Sequence, residues 1–189
     1  MRRAVKILPI VTLGVVAVAA LTGLALVWTY RPATTWGDTT LGDDAVRGLV
    51  SVHELSLQAA VTLALVTVVL LGVARQSVGR VVAMGVVWFS AIVASMTWHL
   101  IAWDQIALES VTVGTDLRGL LFPAFDDGVA FILMGGAEIG QETYRVWLLV
   151  HLAALAVSVV ASLAAVRPVR GASEHADVDA DDVPVFDLT

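Results

Sequence analysis

Four stretches of the chain are long, apolar and almost free of charge: residues 8–30, 55–74, 81–103 and 146–166. Each has about the 20 residues that a helix needs to cross the hydrocarbon core of a bilayer. Between them lie polar segments. Residues 31–53 carry Pro32, Gly37-Asp38 and Gly42-Asp43-Asp44, all turn-prone, and residues 76–80 form a tight connection. In lipid a helix satisfies its own backbone polar groups, so this pattern predicts an all-α transmembrane four-helix bundle. The last connection, 104–145, is long for a bundle, and loops of that length usually carry function or their own structure. Within it, 117–125 and 129–134 are too apolar for a free loop and read as short helices lying at the membrane surface. No internal repeat and no phosphate-binding glycine loop stands out.

Composition sharpens this picture. The chain has 189 residues and is 58% hydrophobic, with a mean hydropathy of +0.86, so one membrane domain over residues 1–170 fills most of it. Residues 171–189 hold Glu174, Asp177, Asp179, Asp181, Asp182 and Asp187 without apolar periodicity, and are expected to be a disordered acidic tail. That tail and the acidic loops account for the formal charge of -6. Cysteine is absent, which excludes disulfides, Cys-ligated iron–sulfur clusters and c-type haem attachment. The first apolar run is too long for a signal-peptide core and lacks a clear small-residue cleavage site, so it reads as a retained helix. Basic residues set the orientation. With both termini cytoplasmic, Arg2, Arg3, Lys6, Arg75, Arg80, Arg167 and Arg170 lie inside, against Arg31, Arg47, Arg118 and Arg145 outside. Trp28, Trp103 and Trp147 then form an outer aromatic belt, as expected of a multi-pass protein of the cell membrane.

Against this topology, two histidines stand out. His53 lies near the start of the second span and His151 about one and a half turns into the fourth, and both helices run inward from the outer face. Histidine within a span is unusual and usually faces the bundle interior. Two imidazoles at similar depth on facing helices are able to hold a haem iron from both sides, which suits electron transfer rather than oxygen activation. Equally open is a plain role for each, as an interfacial side chain bonded to a backbone carbonyl. His99 falls in the same layer, as a rival ligand, a donor to a propionate or quinone, or an interfacial residue; His175 belongs to the tail. Gly23 and Gly85 would let a flat macrocycle approach the backbone, or serve small-residue helix packing.

Several motifs keep their order and spacing along the chain. They are Thr22-Gly23-x-x-Leu26-x-x-x-Tyr30-x-Pro32, Ile101-Ala102-Trp103-Asp104-Gln105, Thr112-Val113-Gly114-Thr115, and Gly135-Gly136-x-x-x-Gly140-x-x-Thr143 followed by His151. Together they resemble the N-terminal four-helix half of cytochrome b from quinol-oxidising complexes with a Rieske partner, over about residues 8–166. The resemblance implies a cytochrome b N-terminal-like bundle with His53 and His151 as axial ligands of a haem b. Gly23 would lie against that haem, with Arg47 and Arg145 as substitutes for the family's propionate-binding arginines, whose positions here are Val50 and Val146. Ser110 and Val113 would form part of the wall of a quinol pocket shared with another subunit.

There are departures from the family. Its inner ligand pair is replaced by Thr67 and Ala165, neither able to ligate iron, so one haem is implied rather than two. A helix-three glycine that usually faces the outer haem aligns with Trp98, which would crowd the macrocycle, and the tyrosine after it aligns with His99. The implied function is that of an electron-transfer subunit, not catalytic alone, within a quinol-dependent oxidoreductase. Its partners would be membrane lipid, quinol, and further redox subunits: the remaining half of cytochrome b, a Rieske protein or a molybdenum enzyme. No nucleic-acid partner is expected. A haem-free subunit that anchors or assembles a redox complex is the alternative. A transporter or channel fits less well, because apart from the histidines the spans carry no internal charge to mark an ion path.

Overall fold

The computed structural model describes residues 2–30, 44–101 and 140–167, and everything described is helix or short turn. Helix α1 spans Arg2–Thr29, α2 Asp44–Val73, α3 Val78–Ile101 and α4 Gln141–Val166. All four are long and apolar enough to cross a membrane. The expected surface helices at 117–125 and 129–134, the 31–43 connection, Ser110, Val113 and the acidic tail lie outside the described residues. Successive helices pack side by side and α4 closes the ring against α1, giving an up-down-up-down bundle in which α1 faces α3 and α2 faces α4 across the diagonals. The α3–α4 seam is the most extensive and the α1–α4 seam the least.

Every helix starts ahead of its apolar run, α2 most of all. Helix α2 begins at Asp44, well ahead of residue 55, and α4 begins at Gln141. An apolar run measures the thickness of hydrocarbon, while a helix continues into the polar layer wherever its sequence permits. Consequently His53 is not near a helix start. It sits well inside α2, at nearly the same distance from the helix N-terminus as His151 in α4. Helix α2 ends at Val73 through a left-handed Arg75 (φ 51°), with the amide of Arg75 donating to the Gly72 carbonyl and that of Gln76 to the Leu71 carbonyl. This closes the helix as a Schellman turn does. Ser77 then opens α3, its carbonyl accepting from the amides of Arg80 and Val81.

Small residues line the seams. Ala60, Ala64, Ala91, Ala94, Ala161 and Ala165 are all buried, which lets the helices approach closely, the main route to packing energy where lipid supplies no hydrophobic drive between helices. Large apolar side chains such as Leu21, Leu55, Val69, Phe89, Leu149 and Val160 are exposed instead, as a lipid-facing surface requires. The core has two layers. One gathers Val5, Val16, Ala60, Leu71, Met84, Val87, Ala161 and Ala165; the other gathers Ala19, Leu26, Leu57, Ala94, Trp98, Ala154 and Leu155. Thr67 and Ala165 fall in or against the first layer, fully buried, with the Thr67 hydroxyl donating to the Leu63 carbonyl at 2.6 Å and lying 3.2 Å from the Thr12 hydroxyl.

A candidate histidine site between diagonal helices

His53 and His151 meet in the second layer. His53 is 0% exposed and His151 3%, and their ring centroids are 5.6 Å apart with the planes inclined at 62°. Each ring is held by the helix beside it in the same way. The Nδ1 of His53 lies 3.0 Å from the Ala19 carbonyl and 3.0 Å from Oγ1 of Thr22. Nδ1 of His151 lies 2.9 Å from the Ala94 carbonyl and 3.0 Å from Oγ1 of Thr97. A carbonyl only accepts, so Nδ1 carries the proton on both rings. The threonine hydroxyls donate to the Val18 and Val93 carbonyls, both at 2.7 Å, and so accept from the imidazoles as second partners.

This tautomer leaves a lone pair on Nε2 of each ring. Nε2 of His53 is buried and has no hydrogen-bond partner among the described residues. A fixed Nδ1–H donating to a carbonyl, with Nε2 free, is the arrangement of a metal-ligating histidine. A cavity adjoins the pair, opening to the surface and containing about 390 Å³ of empty space including its mouth. Its walls are Gly23, Leu26 and Val27 of α1, Tyr30 just beyond it, and Tyr144, Leu148, His151 and Leu152 of α4, with His53, Trp98 and Ile101 completing it.

The sequence points to five more residues. Gly23 is part of this site: a Cβ there would stand 2.8 Å from Cε1 of His53. Gly85 is not, since a Cβ would meet nothing within 4 Å. His99 is exposed although its neighbour Trp98 is buried, and it does not join the pair. Arg47 and Arg145 are exposed and each pairs with an acid three residues before it, Asp44 at 2.8 Å and Glu142 respectively; the structure does not bring them to the imidazoles. Missing from the sequence reading were the residues that orient the rings. Ala19-x-x-Thr22-Gly23 and Ala94-x-x-Thr97-Trp98 share one spacing, and that repeated tetrad was the available signal.

The donor set fits a haem iron, but the room is obstructed. Two metal–nitrogen bonds of about 2 Å each would place the ring centroids about 6 Å apart, close to the separation seen. Trp98, however, stands with its ring centroid 4.7 Å from that of His53 and 6.1 Å from that of His151, its plane tilted against Tyr30 at 5.6 Å. Trp98 therefore packs directly against both imidazoles. Comparison with models of known protein families gives no match, and comparison with curated proteins gives none.

Proposed function

We propose that this chain is a membrane electron-transfer subunit that carries one b-type haem between His53 and His151. The observation that supports the reading is the matched pair of buried imidazoles on α2 and α4, each with Nδ1 committed to a carbonyl and His53 with an unpartnered Nε2, at a separation close to that of an iron held from both sides. Bound there, a haem would supply a one-electron couple with no open coordination position. The protein's own contribution is to fix the tautomer, to keep the rings dry, and to hold α2 and α4 at the right distance. Thr67 and Ala165, packed into the opposite layer, favour a single haem. Together with the cytochrome b-like motifs, this supports reading the chain as a divergent N-terminal cytochrome b domain of the cell membrane, with both termini cytoplasmic. It would pass electrons between quinol and a Rieske or molybdenum partner. Arg47 and Arg145 remain the proposed propionate partners only if they leave their helix-surface acids.

A specific observation favours the second reading, a haem-free anchor of a redox complex: the Trp98 indole beside His53. The two readings separate in a reduced-minus-oxidised spectrum of the purified protein, made with haem available, together with a haem-to-protein ratio. A sharp low-spin b-type band at one haem per chain, lost in His53→Ala and in His151→Ala, is the expected result. A folded protein without haem would sink the first reading, and a normal low-spin haem in either variant would sink the ligand assignment.

A further inference from the structure

The two brackets that hold the imidazoles differ at one position. On α1 the residue after the bracketing threonine is Gly23, and it comes so close to His53 that even a methyl group would collide with the ring. On α3 the residue after the threonine is Trp98, which is 7% exposed and packed against both histidines. One side of the pair therefore has no side chain at all, and the other has the largest there is.

The position of the indole can be fixed from the three centroid separations. A triangle with sides 5.6, 4.7 and 6.1 Å puts the indole centroid about 4.7 Å from the midpoint between the imidazoles. It also lies within about 2 Å of the plane midway between them, the plane a macrocycle would take if the pair held it along the line joining the two centroids. The pyrrole rings of a porphyrin reach about that far from the iron. A macrocycle held in this way would claim the volume that the indole fills, and interiors at native packing density do not admit both.

Resting on the haem reading above, we propose that Trp98 decides whether the histidine pair takes a haem. With the indole in place the site is closed, and haem binds only as the indole moves out of the plane. The helices need not move far, because the imidazoles are already near their bonding separation. The energy of displacing Trp98 from Tyr30 and His53 is subtracted from the binding energy, in the manner of any ligand that selects a minor conformation.

The test is a haem titration of the full chain in detergent, starting from haem-free protein, for the native sequence, Trp98→Phe, Trp98→Gly and His53→Ala. Formation of the low-spin spectrum reports binding. Expected is an affinity at least tenfold higher for Trp98→Gly than for the native chain, with Trp98→Phe between them and His53→Ala giving no low-spin species. Equal affinity in the three Trp98 forms, with loss in His53→Ala, would keep the haem reading and overturn the role of Trp98. Weaker binding by a folded Trp98→Gly would overturn it too, by showing that the indole supports the macrocycle. Haem taken up by no form would overturn both. Should Trp98→Gly fail to fold, fluorine NMR of the 5-fluorotryptophan-labelled native chain decides. The resonance missing from Trp98→Phe shifts in proportion to haem bound if the indole is displaced, and an unmoved resonance overturns the proposal.

Discussion

A methyl group on residue 23 would stand 2.8 Å from Cε1 of His53 and 3.3 Å from Cδ1 of Leu155. His53 has little freedom to retreat, because its Nδ1 is tied to Ala19 and Thr22 on the same helix as Gly23. Gly23→Ala must therefore either break these hydrogen bonds or push α1 away from α2. Overpacking of this kind costs about 1–3 kcal/mol. Thermal unfolding in detergent should show a clear loss for Gly23→Ala and little change for Gly85→Ala, where the new Cβ meets nothing within 4 Å. Equal effects at the two glycines would mean that the close approach of α1 to His53 is wrong.

Because the Ala19 and Ala94 carbonyls cannot donate, the tautomer of both rings is a structural prediction that needs no cofactor. Nitrogen NMR of histidine-labelled, haem-free protein should show His53 and His151 neutral with the proton on Nδ1. Thr22→Val and Thr97→Val each remove a second acceptor, at a cost of about 0.5–1.5 kcal/mol, and should leave the tautomer unchanged. A proton found on Nε2 in either ring of the native chain would contradict the bracket.

Two serines on one face of α4 should respond oppositely to the same substitution. Ser158 shares a 2.7 Å hydrogen bond with Ser90 across the α3–α4 seam, whereas Oγ of the fully buried Ser162 has no partner among the described residues. An unsatisfied buried hydroxyl costs about 1–3 kcal/mol, so Ser162→Ala should raise stability. Ser158→Ala should lower it slightly, since interhelical hydrogen bonds in membrane bundles average about 0.6 kcal/mol. Unfolding midpoints of the two variants in the same detergent give the comparison, and a loss in Ser162→Ala would point to a partner for that hydroxyl.

The four helices were readable in the sequence because each must present an unbroken apolar length to lipid, and few other constraints leave so plain a trace. Their ends were not, since the polar stretch from Asp44 to the apolar run continues the helix beyond the hydrocarbon, and this shifted the apparent depth of His53. That His53 and His151 would meet followed from topology and burial. What holds them did not, because Ala19, Thr22, Ala94 and Thr97 are ordinary residues until one knows which helix faces touch. The pairs Asp44–Arg47 and Glu142–Arg145 were also present as a three-residue spacing, which on a helix surface makes neighbours. The resemblance drew attention to the arginines, and the local spacing describes where the structure places them.

At the opposite end of the bundle, Arg80 joins the start of α3 to the end of α4. Its Nε donates to the Ala165 carbonyl at 3.0 Å, and its Nη1 to Oε1 of Gln76 at 2.9 Å. The Ala165 carbonyl is among the last four of its helix, which lack an amide partner further along, so a side-chain donor there satisfies a group that lipid cannot. A hydrogen bond from a charged donor contributes about 1.5–3 kcal/mol. Arg80→Ala should therefore lose stability in that range, and Gln76→Ala only a fraction of it. Arg80→Lys should fall between, because lysine keeps the charge but cannot span both acceptors with a planar fork. If Arg80→Ala unfolds within about 0.5 kcal/mol of the native chain, as substitutions away from such features usually do, the clamp between α3 and α4 is not a stabilising element.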